Sequence, residues 1–324
     1  MLTSSIAAQH RLSVSTIGVP DWALSMMGKV AIIGSGGIGG YLAAELAEAG
    51  RDVTLCVRTS FPKLIVEEPD RTREIAVPMA TEPQEVGPVR FVLLTTKSQD
   101  TAGTKPWLDR LVGPDTTIVV VQNGVGHVER VQPLAPGAKA ILPAIIYCSV
   151  ERVSPGRIVH HTAAALSLPT SPQSAAVAEL FSPTSFKVTE EADFTTIAWR
   201  KLFSNLVGNP ITSLTLRRIR VIQEPDIQAL ASGILAEAVW VAAAEGAKLT
   251  ETDAQQVLRG LGKSNPDGGT SMLYDRLAGR PLEHEYITGA VVRAAEKHGI
   301  DVPLNRAILA LCRAASGHPL DGSE

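Results

Sequence analysis

The spacing of apolar positions along this chain changes near residue 192. Before that point they come as short, β-branched runs at 30–33, 52–57, 91–96 and 116–121. Apolar runs of this length, bounded by turn residues, fit strands buried on both faces. Their alternation with helical stretches, one directly after residue 34 and one at 107–112, fits a parallel sheet covered by helices. Further strand-like runs at 140–150 and 157–168 flank Pro155-Gly156, and a short helix (174–180) and strand (186–189) close this half. The stretch after Arg58, punctuated by Pro62 and Pro69, reads as irregular. From residue 193 onward helix-forming runs take over, at 196–206, 226–245, 253–261, 271–277, 284–297 and 305–315. The expected organisation is an extension at 1–28, an α/β domain at 29–192 and an all-α domain at 193–324. Residues 1–27 have mixed polarity and no clean apolar core. They make a poor signal peptide and read as an appendage without catalytic content.

The turn after the first strand brings in chemistry. It reads Gly34-Ser35-Gly36-Gly37-Ile38-Gly39, with glycines at the G-x-G-x-x-G spacing between a strand and a helix. Gly34 permits the tight turn, Gly36 lets backbone approach a pyrophosphate, and Gly39 lets the helix pack close to the strand. N–H groups at the helix start then face the phosphates with the helix dipole behind them. The spacing predicts a Rossmann-type dinucleotide site; the bland alternative is a tight structural turn. The second strand ends in Arg58-Thr59-Ser60, where an NAD site usually carries Asp or Glu. A guanidinium can hold a 2′-phosphate bidentately, whereas a carboxylate would repel it, so the expected cofactor is NADP(H). The bland alternative for Arg58 is a solvated strand end.

Composition narrows the class. The 324 residues are 45% hydrophobic and 19% charged with net charge −3, which argues against a nucleic-acid partner and against a basic membrane-binding surface. No uninterrupted apolar run approaches the ~20 residues of a spanning helix. The three cysteines, Cys56, Cys148 and Cys312, are isolated, with neither metal-ligand nor redox spacing. That fits a cytoplasmic protein without a metal site.

Lys97 and Asn123 fall, like Arg58, at the carboxyl ends of predicted parallel strands, where ligands bind in such sheets. In the first helix of the second half, Lys201, Asn205 and Asn209 stand at i, i+4 and i+8 and share one face. Pro210 is expected to end or kink that helix just after Asn209. A lysine above two amides suits a carbonyl substrate: the ammonium can donate a proton as hydride arrives, and the amides can hold neighbouring oxygens. The bland alternative is a solvated polar stripe.

Taken together these pieces resemble the ketopantoate reductase (2-dehydropantoate 2-reductase) family. The matching residues are Gly34 to Gly39, Arg58, Thr96-Lys97, Gln122-Asn123-Gly124, Lys201/Asn205/Asn209-Pro210, Thr270-Ser271-Met272-Leu273-Tyr274-Asp275, and Glu283 to Gly289. The resemblance implies an NADP-binding N-terminal domain joined to an all-helical C-terminal domain, with the active site between them. By that likeness Lys201 is the proton donor and Asn205 and Asn209 hold the substrate. Ser271 receives the substrate carboxylate, Asn123 lies between nicotinamide and substrate, and Lys97 and Glu283 contact the cofactor. Ser271 as a mere N-cap, and Glu283 as one of a solvated pair with Glu285, are the bland alternatives. Two stretches depart from the family. His160-His161-Thr162 and the alanines after them replace glycines, and Leu216-Arg217-Arg218-Ile219-Arg220 replaces a small polar loop. The three arginines would favour a larger or more acidic 2-oxo acid, or be solvated.

The expected activity is NADPH-dependent reduction of a 2-oxo acid, by default ketopantoate to pantoate in pantothenate and coenzyme A biosynthesis. The alternatives are a related reductase of a different 2-oxo acid or an imine, and a non-catalytic NADP-binding regulator. The oligomeric state is left open, with a homodimer as one option.

Overall fold

A computed structural model describes residues 28–162, 164–263 and 265–317; the expected appendage at 1–27 lies outside the described residues. Numbered along the chain, strand β1 (Val30–Ile33) is buried at all four positions, as a strand covered on both faces must be. It pairs in parallel with β2 (Val53–Cys56) on one side and β6 (Phe91–Leu94) on the other. The sheet extends through β7 (Thr117–Val120) and β8 (Ala140–Pro143), with β5 (Met79–Ala80) at the far edge, in the order β5-β2-β1-β6-β7-β8. Helix α1 (Gly37–Glu48) packs back on this sheet, and α2 (Lys105–Leu111) and α3 (His127–Val131) follow β6 and β7. The alternation of strand and helix predicted from sequence is thus a Rossmann-type parallel sheet.

The stretch after Arg58 is more regular than expected. Residues Leu64–Glu67 (β3) and Thr72–Ile75 (β4) form an antiparallel hairpin. It joins β10 (Val150–Ser154) and β11 (Arg157–His160) in a second sheet, ordered β10-β11-β3-β4. Pro62 and Pro69 lie outside the strands, one before β3 and one in the turn, so neither removes a ladder hydrogen bond. A third sheet, ordered β13-β12-β9, contains β9 (Ile145–Tyr147), β12 (Ala165–Pro169) and β13 (Lys187–Glu191). Between β12 and β13 runs α4 (Pro172–Phe181), capped by the Ser171 hydroxyl accepting from Ser174 N.

From Asp193 onward the described regular elements are helical: α5 (Phe194–Thr215), α6 (Pro225–Ala244), α7 (Glu251–Lys263), α8 (Ser271–Leu277), α9 (Thr288–His298) and α10 (Pro303–Ala315). They enclose their own core around Trp199, Phe203, Leu206, Leu235 and Val291. Two expectations need correcting. Pro210 does not end the first of these helices, because α5 continues to Thr215. A proline inside a helix costs roughly 3 kcal/mol; burial of Leu206, Val207 and Ile211 on both sides of it opposes that cost. The expected helix at 284–297 starts later, since residues 284–287 form turns and Gly289 N donates to the His284 carbonyl.

By length and composition α6 is apolar enough to cross a membrane. Its Ile234, Leu235, Ala238, Val241 and Ala242 are buried in the helical core. Glu237 interrupts its apolar run and accepts from the backbone N–H groups of Leu304 and Asn305, capping α10.

Candidate active site

The glycine turn has the geometry its spacing calls for. Gly34 has φ +106°, a left-handed conformation that favours glycine. A Cβ on Gly39 would lie 2.0 Å from the Gly34 carbonyl oxygen, so only glycine lets α1 start this close to β1. At Gly36 a Cβ would meet nothing within 4 Å: the space over this residue is open. No side chain caps α1. The first-turn N–H groups, around Gly37, Ile38 and Gly39, are therefore available to an outside acceptor, with the dipole of a 12-residue helix behind them. Open space over glycine and uncapped N–H groups fit a dinucleotide pyrophosphate. Ser35 lies in the same turn. Arg58 follows the buried end of β2 and is exposed, so its guanidinium is free to meet a ligand beyond that strand.

The second set of residues gathers where the parallel strands end against the helical region. Lys97 follows β6, and its ammonium donates to Asp275 at 2.7 Å and to Glu283 at 3.2 Å. Glu283 is 3% exposed. It also accepts from Ser98 N at 3.1 Å and from Asn123 Nδ2 at 3.2 Å. Asn123, beyond β7, accepts from Asn205 Nδ2 at 3.3 Å. One hydrogen-bonded line thus runs from Asn205 on α5 through Asn123 to Glu283, Lys97 and Asp275. Gly124 makes the junction possible. Its φ is +97°, and a Cβ there would lie 2.2 Å from the Tyr286 carbonyl oxygen.

One turn before Asn205, Lys201 opens on a narrow cleft lined by Gln122, Asn123, Ile145, Ile146, Lys201 and Asn205, among others. Burial pushes the Lys201 pKa down from its ordinary value. Lys97 shows the reverse balance. Burial works to lower its pKa, but the Glu283 and Asp275 carboxylates outweigh it and the net shift is upward.

Lys201, Asn205, Asn123, Glu283 and Lys97 are therefore brought together. Asn209 lies a turn deeper and is 5% exposed, outside the cleft lining. Ser271 is exposed at the first position of α8, and Thr270 is the cap, its hydroxyl accepting from Leu273 N at 3.1 Å. The N-cap alternative for Ser271 is thus wrong. So is the solvated pair: Glu283 is buried in the line just described, whereas Glu285 is bound by Arg313 and Arg293.

Sequence reasoning missed two residues. Asp275 stands in the motif after Thr270, is 4% exposed and anchors both Lys97 and Arg280. Tyr147 lies beside Lys201, with its ring centroid 5.1 Å from the ammonium nitrogen, and nothing in its sequence context marks it.

The two departures from the family stand apart from the cleft lining. The His160 ring stacks on Tyr41 of α1, centroids 4.1 Å apart. Arg217 pairs with Glu224 and Arg220 with Asp267, while Arg218 donates to the Tyr274 hydroxyl at 3.0 Å.

The family described as ketopantoate reductase PanE/ApbA matches residues 30–173, and its C-terminal counterpart matches residues 193–316. A 2-dehydropantoate 2-reductase of Caulobacter vibrioides is 37% identical over 292 residues, covering 90% of this chain and 100% of that protein. One from Mycobacterium tuberculosis is 38% identical over 294 residues, covering 90% and 98%. Among solved structures, the dimeric ketopantoate reductase of Staphylococcus aureus superposes with a TM-score of 0.81 at 26% identity, covering 89% of this chain and 98% of that one.

Proposed function

This chain belongs to the ketopantoate reductase family, and from that premise we propose that it reduces ketopantoate to pantoate with NADPH. The observation that carries the reading is the cleft in which Lys201, Asn205 and Asn123 face one another at the carboxyl ends of the parallel strands. The nicotinamide, when bound, supplies the hydride to the C2 carbonyl carbon. Every other part is assigned to the chain. The α1 N-terminus, with Gly34 to Gly39, holds the pyrophosphate, and Arg58 holds the 2′-phosphate that distinguishes NADP from NAD. Lys201 donates its proton to the carbonyl oxygen as that oxygen becomes a hydroxyl. Its burial supports this role, because an ammonium with a lowered pKa gives up a proton more readily near neutral pH. Asn205 orients the substrate oxygens and Ser271 meets the carboxylate, while Asn209, buried a turn deeper on the same helix face, lies behind Asn205 rather than against the substrate. Asn123, between the two lysines, separates nicotinamide from substrate. Glu283 and Lys97 set the floor against which the cofactor rests. The division into 29–192 for cofactor and 193–324 for substrate belongs to this reading, as do a homodimer and a cytoplasmic location. The first of these last two is the state named for the S. aureus relative, and the second suits three free cysteines.

Three arginines at 217, 218 and 220 would favour a different 2-oxo acid if they faced the substrate, but they stand apart from the cleft lining. With Arg217 and Arg220 paired to carboxylates, two of the three are engaged elsewhere, which favours the unmodified substrate. The test is NADPH oxidation with ketopantoate beside a panel of other 2-oxo acids and imines. Ketopantoate should be the fastest. Turnover only on other compounds would replace the substrate, and tight NADPH binding without turnover on any would make the protein a regulator.

A further inference from the structure

Lys201 lines the cleft and Lys97 stands at the end of the hydrogen-bonded line behind Asn123, and the two are held differently. Lys97 has two carboxylates. For Lys201, no ion pair or side-chain hydrogen bond is found among the described residues; its ammonium lies over the Tyr147 ring, 5.1 Å from the centroid. Tyr147 is the last residue of β9, paired with Ala165 of β12, and is 41% exposed. A ring face attracts a cation through its quadrupole. It offers no lone-pair acceptor that would lock the ammonium in place or raise its pKa as a carboxylate would. An ammonium so held stays charged and can leave the ring when a stronger acceptor, the substrate's carbonyl oxygen, arrives.

We propose that Tyr147 is a positioning residue, whose ring face keeps the Lys201 ammonium charged and directed at the cleft between turnovers. The inference rests on the reading of Lys201 as proton donor. Other charged groups around the pair are few. Glu191 on β13 raises the Tyr147 pKa and Arg200, next along α5, lowers it, both after burial, so the phenol stays neutral. Arg200 is itself held by Asp253 at 2.8 Å. For Lys201 the cause of the lowered pKa is burial alone.

The test compares Tyr147→Phe, Tyr147→Leu and Lys201→Ala in steady-state turnover across pH, with NADPH and the best 2-oxo acid, alongside NADPH affinity. Phenylalanine keeps the ring face, whereas leucine keeps apolar bulk and loses the quadrupole. Tyr147→Phe should retain kcat and its basic limb. Tyr147→Leu should lose roughly 2- to 30-fold in kcat, the range of a cation–π contact, and its basic limb should move about half a pH unit or more toward acid. NADPH affinity should be unchanged in both, which also reports correct folding. Wild-type kcat and basic limb in Tyr147→Leu would overturn the proposal, as would equal impairment in Tyr147→Phe, which would assign the effect to the hydroxyl. If Lys201→Ala loses turnover while Tyr147→Leu does not, only the role of Tyr147 falls. If Lys201→Ala keeps its kcat, the proton-donor reading falls and this inference with it.

Discussion

Single side chains divide the labour by their counter-charges. Lys97, neutralised by Asp275 and Glu283, is a fixture joining the strand ends to the helical region. Lys201, without a carboxylate among the described residues, is the one suited to releasing a proton. Arg58 is exposed beyond β2, and in the proposed reading it meets the 2′-phosphate at the other end of the cofactor. Arg58→Ala should therefore remove most of the preference for NADPH over NADH, weakening NADPH binding by roughly 1.5–3 kcal/mol, as for a lost charge-assisted hydrogen bond. Calorimetric titration with both cofactors checks this; equal affinities in the wild type would remove the 2′-phosphate role. At this scale the glycine turn and the shared helix face of Lys201 and Asn205 are legible in the sequence because their spacing is local. Asp275 and Tyr147 are not, because what distinguishes them is a partner far along the chain.

Among the elements, strands and helices with uniform patterning were legible, and those shaped by tertiary contacts were not. The β3–β4 hairpin was hidden because its prolines look like breaks in sequence and prove to flank the strands. Helix α5 runs on through Pro210 because packing outweighs a missing N–H. The short helix α3 makes a prediction of its own. Its first residue, His127, is 6% exposed, with Nε2 3.1 Å from the Gln122 carbonyl oxygen. Burial, and then the charge of Arg130, push its pKa down to about 4 from 6.5. Between those values the unfolded chain binds a proton that the folded chain does not, so stability should fall as pH falls through that window. The total is about 3 kcal/mol. Urea unfolding at pH 7 and pH 4.5 should show a smaller acid loss in His127→Gln than in wild type. The same loss in both would place the acid sensitivity elsewhere.

The whole molecule sets the cores of the α/β part on one side of the cleft and the helical core on the other, and the proposed reaction draws on groups from both. The glycine turn opens α1 at the end of β1, whereas Lys201 and Asn205 stand on α5, from which Asn205 donates to Asn123 beyond β7. Cofactor should therefore dock first, with substrate closing the cleft against α5 afterwards. Calorimetry should find substrate binding weak without NADP(H) and strong with it; equal affinity in both conditions would rule out that order. The fold class and the cleft could be anticipated from sequence, since the change from strand to helix patterning at residue 192 marks where two layers meet. The line from Asn205 to Asp275 could not, because it exists only once those layers are packed.

The central claim is that Lys201 protonates the substrate oxygen in this cleft, and the most direct measurement is the turnover of Lys201→Ala. The glycine turn and Arg58 are untouched by that change, so NADPH should bind as in wild type. The kcat for ketopantoate should fall by at least the ~10²-fold associated with general acid catalysis. Arg200→Ala, turned about 100° around the same helix, should change kcat little. A Lys201→Ala enzyme that binds NADPH normally and reduces ketopantoate at near wild-type kcat would contradict the account.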